Sequence, residues 1–591
     1  MSGIVCVVQW DRSHQLRPMV EKAIKDMCAF DHLHSEIVLD EEDICIGSVF
    51  RDHAAAVHRF PEEIAVVDGV VCSTGNAGLE TGHTDLGTGS LPFDGLYNVL
   101  VWRPIQKTLR VSSDVMGVKP LYCWTNGTTL VLSSELKTFR LIPFVHPKLN
   151  PRVFASTLVL GYALDGGTLI DGVEVLPAGH GVKFQSGKAS RFPLGTWRFT
   201  RDRHHASEAD LVEELDSVLE TSISVWTRRY TQPLVSLSGG VDSRTALAYC
   251  LRLAPDTVAA SWGMPGSEDL LCAEEIARRA GCLHLPCLLS ADRSFSREEI
   301  ECAAWQLECF SAVNLPFYGV PWFRFLTEQG RPVVHGYIGD VVAGDMLNEW
   351  GLTDAELELD AGDVIRTLWS LAARSNRGKA LSKFSAPGFM NHLTVDLGDG
   401  MLAAYGQFDG ERAYQRLVQL NLYTRQRRYI GTSAPRLCEI ATDVVLPFYT
   451  RTNLEFFASV PLRQLRDRRL VRQLLLKRFP RLARVREADH GRPPVAGNLL
   501  QHAVDRLRSS PTIRRMTGRN EPIDSFAVFD RLADRHRRVL AEAIGDAHEL
   551  VSGAMDMRRI AAGIRNGADG LDREALMRLY NVSVFLRRFF T

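Results

Sequence analysis

The segment Ser236-Leu237-Ser238-Gly239-Gly240-Val241-Asp242-Ser243 has the residue types needed to hold a chain of phosphates. An apolar run, Pro233–Leu237, leads into two adjacent glycines, and the pattern predicts a helix opening at Asp242 or Ser243. Paired glycines let the backbone turn sharply and approach a ligand closely, while free N–H groups at a helix N-terminus attract anions. No Gly-Lys-Ser/Thr ending follows, so the lysine that grips a terminal phosphate in P-loop proteins is missing. An anionic Asp242 inside such a cradle makes chemical sense as a ligand of Mg2+ bridging the phosphates. A second carboxylate is then expected, and Asp340 supplies it where the apolar run from Pro332 enters His335-Gly336-Tyr337-Ile338-Gly339-Asp340. Two parallel strands ending side by side would bring Asp242 and Asp340 together at the carboxyl edge of a sheet, the usual ligand crevice of such folds.

The elements that must position these residues follow from periodicity. From Ala209 onward helices alternate with apolar strands: a helix to about Arg229, strand Pro233–Leu237, helix Ser243–Leu253, strand Thr257–Trp262, helix Asp269–Ala280, the apolar run Cys282–Leu289 and strand Pro332–Gly336. That order predicts a parallel sheet with helices on both faces. Beyond about residue 350 the periodicity is mostly helical. Residues before about 200 instead form short β-type runs, Gly3–Gln9, Ala65–Cys72, Tyr97–Arg103, Thr108–Ser112, Leu121–Trp124, Thr129–Ser133 and Gly181–Gln185, separated by Gly, Asn and Asp turns. Ser207 followed by Asp210 reads as a helix cap after a polar stretch, which places the boundary between domains 1–203 and 204–591.

Composition narrows the partners. With 69 Lys+Arg against 70 Asp+Glu the net charge is −1, which gives no global field for nucleic acid or an anionic membrane. The 12 cysteines are dispersed without C-x-x-C spacing, so neither a disulfide framework nor a zinc knuckle is indicated. No secretory signal pattern and no long apolar span occur, and a cytoplasmic protein is expected.

Ser-Gly-Gly-x-Asp-Ser after a strand resembles the pyrophosphate loop of N-type ATP pyrophosphatases, and more of the chain is similar to the asparagine synthetase B superfamily. Phe93-Asp94-Gly95-Leu96-Tyr97, Asp114 to Tyr122, Ser133-Ser134-Glu135-Leu136-Lys137, Gly161-Tyr162 and Leu176-Pro177-Ala178-Gly179 fall in family order. So do Glu268-Asp269, Leu446-Pro447-Phe448 and Leu470–Pro480. The resemblance implies an α+β, Ntn-hydrolase-like amino-terminal sandwich, a glutaminase domain, followed by an α/β ATP pyrophosphatase domain with a helical carboxyl-terminal part. It also implies ATP and Mg2+, with Ser236 to Ser243, Gly263 and Gly336 around the nucleotide and Asp242 and Asp340 on the metal. Gly263 would allow close approach of adenine.

Three departures refine the expectation. Glutamine-hydrolysing members carry Cys after the initiator Met; here that residue is Ser2, the glutamine-holding Asn-Gly-Glu reads Asp68-Gly69-Val70, and Cys6 is not terminal. A degenerate glutaminase domain is expected. Tyr337 occupies the family's Glu position, as in β-lactam synthetases, and is a candidate base with Glu439 or Asp443 as its carboxylate partner. The lysine expected after Pro480 is Ala488, so either an arginine such as Arg486 or Arg492 supplies its charge or the register shifts; Lys477 is the last lysine in the chain. Lasso peptide cyclases fit this combination best. The resemblance then implies adenylation of an Asp or Glu side chain of a precursor peptide and macrolactam closure by its N-terminal amine, with a leader-binding protein and a leader peptidase as partners. A β-lactam or asparagine synthetase-like enzyme of small amino acids, or a non-catalytic nucleotide or peptide binder, is the alternative.

Overall fold

The computed structural model describes residues 3–11, 14–72, 94–193, 206–227, 229–308, 315–360, 376–488, 527–567 and 570–591. Ser2, Phe93, Arg492 and the expected boundary at 203/204 lie outside the described residues.

The amino-terminal half is two stacked antiparallel sheets of six strands. One runs Glu174–Val175, Tyr122–Thr125, Thr129–Ser133, Gly3–Gln9, Ile44–Phe50, His34–Glu41; the other runs Lys188–Pro193, His180–Gln185, Thr108–Ser113, Asp94–Arg103, Ile64–Cys72, Ala56–Arg59. Alternation sorts the first strand between two cores. Ile4, Cys6 and Val8 meet Val66, Leu100 and Trp102 of the opposite sheet, while Val5 and Val7 turn outward onto helix Leu16–Met27. The sandwich expected from the sequence is therefore present, with five strands more than its β-runs reveal: three among residues 34–59, Glu174–Val175 and Lys188–Pro193.

The carboxyl-terminal half is built on a five-stranded, all-parallel sheet ordered His284–Leu288, Val258–Gly263, Leu234–Ser236, Val333–Val334, Val444–Val445. Leu234–Ser236 lies at its centre, and Val333–Val334 is its hydrogen-bonded neighbour, so the two glycine turns after these strands open side by side. Ser207 caps helix Glu208–Thr227: its Oγ accepts from the Asp210 N–H at 3.1 Å and donates to the Asp210 carboxylate at 2.6 Å. The other described residues of this half are mostly helical, ending in the 18-residue helix Arg573–Phe590, which packs against Pro151–Leu160 of the first half. Among the described residues no helix is long and apolar enough to cross a membrane.

The halves are joined by buried polar contacts. The segment Leu422–Ile430 is wound more widely than an α-helix, with the Gly431 N–H donating to the Gln426 carbonyl at 2.7 Å. From it Arg427 donates to the Gly117 carbonyl at 3.0 Å and to that of Leu176, and Arg428 donates to the carbonyls of Asp165 and Gly167 at 2.6 and 2.9 Å. Gly117, at φ +65°, leaves room for this: a β-carbon there would sit 3.0 Å from the Arg427 guanidinium. Several residues that carry the family resemblance, Asp114 to Lys119 and Leu176 among them, thus serve the seam between the halves.

Candidate active site

The loop between Leu234–Ser236 and helix Val241–Leu253 is shaped by its own serines. The Ser238 N–H donates to Ser243 Oγ at 3.1 Å, the two hydroxyls lie 2.9 Å apart, and the Gly240 N–H donates to Ser238 Oγ at 3.2 Å. Leu237 is buried, its N–H donating to the Ala260 carbonyl at 2.7 Å, and Gly240 is the helix N-cap. The Gly239 N–H already takes an anionic oxygen, the Asp269 carboxylate, at 3.0 Å. Gly239 is also a steric requirement: its β-carbon would fall 2.5 Å from that of Ala488 and 2.9 Å from that of Cys272.

The two strand-end motifs meet as expected. A β-carbon on Gly336 would lie 3.3 Å from the Ser243 nitrogen, and one on Gly339 would lie 2.8 Å from Asp242 Cγ, so the second turn closes over the first. Asp340 is in the short helix Gly339–Val342. Burial drives the Asp242 carboxyl well above the ordinary carboxylate range; Arg468 opposes that rise, and Asp340, Asp345 and Glu487 add to it by like charge. Asp340 is raised by burial as well, against Arg468 and Arg425. Asp242 Oδ1 is buried with no hydrogen-bond partner. A crowded pair of acids with an orphaned oxygen fits a divalent cation. No three-ligand cage of His, Cys, Asp or Glu exists among the described residues, so such a cation would draw its other ligands from phosphate and water.

Arg468, which the sequence reading does not single out, lies here. It is 5% exposed and bridges the two turns, to Asp242 Oδ2 at 3.2 Å and Asp345 Oδ2 at 2.9 Å. In the sequence it is one of several arginines in Arg466-Asp467-Arg468-Arg469, and only its backbone sets it apart: Asp467 and Arg468 both have φ +55°. Arg244, fully buried, also went unread although it directly follows Ser243. Its guanidinium donates to the carbonyls of Gly239, Leu482, Val485 and Arg486, clamping segment 482–486 onto the loop.

Several expectations are corrected. Tyr337 is 2% exposed and its hydroxyl donates to the Gln426 carbonyl at 2.9 Å; burial, reinforced by Asp114, pushes the phenol far above its ordinary value. So placed, the phenol packs the seam and its hydroxyl is engaged by a main-chain carbonyl. Neither Glu439 nor Asp443 is its partner. Glu439 holds Lys119 at 2.5 Å and Arg436 at 2.7 Å, and Asp443 holds Arg51 at 2.6 Å. Arg486 is ion-paired to Glu268 and 38% exposed, turned to that acid and not to Asp242. Ala488 does lie at the loop, its nitrogen 3.4 Å from the Gly239 carbonyl oxygen, and brings no cation there. Gly263 makes room for its own chain: a β-carbon would meet Ser267 Oγ at 2.8 Å and Leu270 Cγ at 3.1 Å. Lys477 pairs with Glu213, outside the site.

In the amino-terminal half, Cys6 is fully buried and burial raises its thiol well above the ordinary range, so it is no nucleophile. A cavity of about 310 Å³ adjoins Gly69 and Val70 and is lined by Arg51, Arg229, Glu439 and Asp443. Arg51 is taken up by Asp52 at 2.7 Å and by Asp443. Asp68 is fully buried, 3.7 Å from Lys119 Nζ. From Glu439 a ladder of buried ion pairs continues through Arg436 to Glu135, at 3.5 Å, and on to Lys137, at 2.9 Å.

A sandwich of antiparallel sheets followed by a parallel sheet with a glycine loop at its centre defines a two-part class. Residues 83–195 match the glutamine amidotransferase domain family. A protein named as a glutamine-hydrolysing asparagine synthetase from Mycobacterium bovis is 26% identical over 245 residues, 39% of this chain and 37% of that protein. Asparagine synthetase 3 of Bacillus subtilis is 23% identical over 159 residues, 26% of this chain and 25% of that protein. The match thus spans little more than a third of the length of the first relative and a quarter of the second. Among solved structures, a glutamine phosphoribosylpyrophosphate amidotransferase from B. subtilis aligns with 10% identity and a TM-score of 0.22, covering 59% of this chain and 79% of that one. The sequence similarity supports the asparagine synthetase family.

Proposed function

We propose that this chain is an ATP-dependent ligase that forms an amide bond with release of AMP and pyrophosphate, and that its substrate is a precursor peptide. On this reading an Asp or Glu side chain of the peptide is adenylated, and the peptide's own N-terminal amine displaces AMP to close an isopeptide macrolactam, as in lasso peptide cyclases. The observation that carries the proposal is the meeting of the Ser238–Ser243 loop with Asp242 and the Gly336–Asp340 turn at neighbouring strand ends.

The loop amides and the first turn of helix Val241–Leu253 would bind the pyrophosphate part of ATP. Asp242 and Asp340 would hold Mg2+, which when bound supplies neutralisation of the phosphate charge. Arg244 keeps segment 482–488 against the loop, and the ordered peptide would bring its amine to the activated carboxyl, so much of the rate would come from orientation.

A substrate amine in place of glutamine-derived ammonia is supported by the amino-terminal half. Cys6 is buried, Arg51 is already paired with two acids, and Glu439 beside that cavity is tied to Lys119 and Arg436. A leader-binding protein and a leader peptidase would be its partners in the cytoplasm. The test is incubation with ATP and candidate peptides: pyrophosphate release together with loss of one water from the peptide mass is expected. The similarity to asparagine synthetases favours a second reading, a small amino acid as acceptor. Ammonia-dependent AMP formation from free aspartate, with no peptide turnover, would decide for it.

A further inference from the structure

We propose that Arg468 is the cation that serves the phosphate loop in place of the absent lysine, held on Asp242 and Asp345 until nucleotide and Mg2+ arrive. This rests on the reading of the site as one that binds ATP, and names the group that carries positive charge there.

The side chain at position 488, against Gly239, is a methyl group. Arg486 is engaged by Glu268. Arg468 is the described cation that touches Asp242. Two of its nitrogens are accounted for, by Asp242 and Asp345, but Nε is buried with no acceptor. A buried donor without an acceptor forfeits its hydration and gains nothing in return. An anionic oxygen arriving in the loop would meet that need, and the planar fork of a guanidinium matches phosphate oxygens two at a time.

The backbone points the same way. Two consecutive non-glycine residues in the left-handed region, Asp467 and Arg468, persist only where surrounding structure holds them, and such residues cluster at ligand sites. Here the turn sends Asp467 out to Asn348, 3.0 Å from its amide nitrogen, and Arg468 into the site.

The oxygen of Asp242 that binds Arg468 belongs to the carboxylate that would hold Mg2+. Guanidinium and metal therefore compete for Asp242 when no phosphate is present and cooperate once phosphate oxygens take over the guanidinium. Removing the guanidinium should move the two affinities in opposite directions.

The experiment is isothermal titration of the full chain, wild type and Arg468→Gln, first with Mg2+ alone and then with α,β-methylene-ATP at saturating Mg2+. Arg468→Gln is expected to bind Mg2+ alone more tightly and the Mg-nucleotide about tenfold or more weakly, equivalent to about 1.4 kcal/mol. Arg468→Lys, which keeps the charge and loses the fork, should fall between, and it answers the question if the glutamine variant does not fold. Unchanged nucleotide affinity in Arg468→Gln, or a loss of both affinities together, overturns the proposal alone. A wild-type chain that binds no Mg-nucleotide overturns the ATP reading, and this proposal with it.

Discussion

The backbone nitrogen of Ala488 lies 3.4 Å from the carbonyl oxygen of Gly239. The chain that follows Pro480 therefore returns to the phosphate loop and presents a methyl group there. The contact leaves no room on the glycine. Gly239→Ala would put a β-carbon 2.5 Å from that of Ala488, with backbone close behind, so the loop must shift. Titration with a fluorescent ATP analogue should show at least a tenfold loss of affinity, with the amino-terminal sandwich intact by circular dichroism.

Asp242→Asn keeps the shape of the side chain and removes its charge. If Asp242 holds the metal, conversion of ATP to AMP should fall by roughly 100-fold or more, the scale of removing one built-in electrostatic group. AMP formation at the wild-type rate would refute the metal assignment.

Arg244 is fully buried and satisfies four carbonyls on two segments. Arg244→Ala strands those acceptors, and since one unmade buried hydrogen bond costs about 1–3 kcal/mol, a loss of at least ~3 kcal/mol is expected. Urea unfolding measures it, and limited proteolysis should find new cleavage near residues 482–488.

His335 carries a pH dependence of stability. Burial lowers its imidazole to about 4, below the ordinary 6.5, and its Nδ1 is buried without a partner. A lowered histidine is neutral when folded, so the unfolded chain binds more protons between these values. Its effect on stability is absent above about pH 6.5 and grows as a penalty as pH falls toward 4, reaching about 3 kcal/mol. His335→Asn should flatten the difference in unfolding free energy between pH 7 and pH 4.5 relative to wild type.

Lys119 Nζ sits between Glu439 and Asp68 with no exposure of its side chain. Lys119→Met removes the cation that both acids share, and breaking a buried pair in this way costs about 3–5 kcal/mol. A lower melting temperature is expected, partly restored when Glu439→Gln is added; a double variant no better than the single would mean that the ladder is not electrostatically linked.

Much of this arrangement is legible in the residues. Gly3–Gln9 and Thr129–Ser133 are strands at the limits their alternation gives, and the two glycine turns meet at neighbouring strand ends. His34–Glu41 escaped because Glu36, Asp40 and Glu41 cut the apolar run of this sheet-edge strand to Ile37-Val38-Leu39, and Val444–Val445 because two residues make no pattern. In the site, sequence order could not reveal what depends on distant contacts. Tyr337 directs its hydroxyl to a carbonyl 89 residues away, and Arg468 is marked by a backbone turn that composition does not encode.

The arginines at the seam bind main-chain oxygens of the first half: Arg427 those of Gly117 and Leu176, Arg428 those of Asp165 and Gly167, Arg578 that of Val159. Gly117 apart, side chains can be exchanged over such oxygens without removing them. Mutation can therefore erase the amino-terminal half's own chemistry one residue at a time, whereas a deletion of that half would strip three buried guanidinium groups of their acceptors at once. Truncation of that half is therefore costlier to the rest of the fold than point substitution within it.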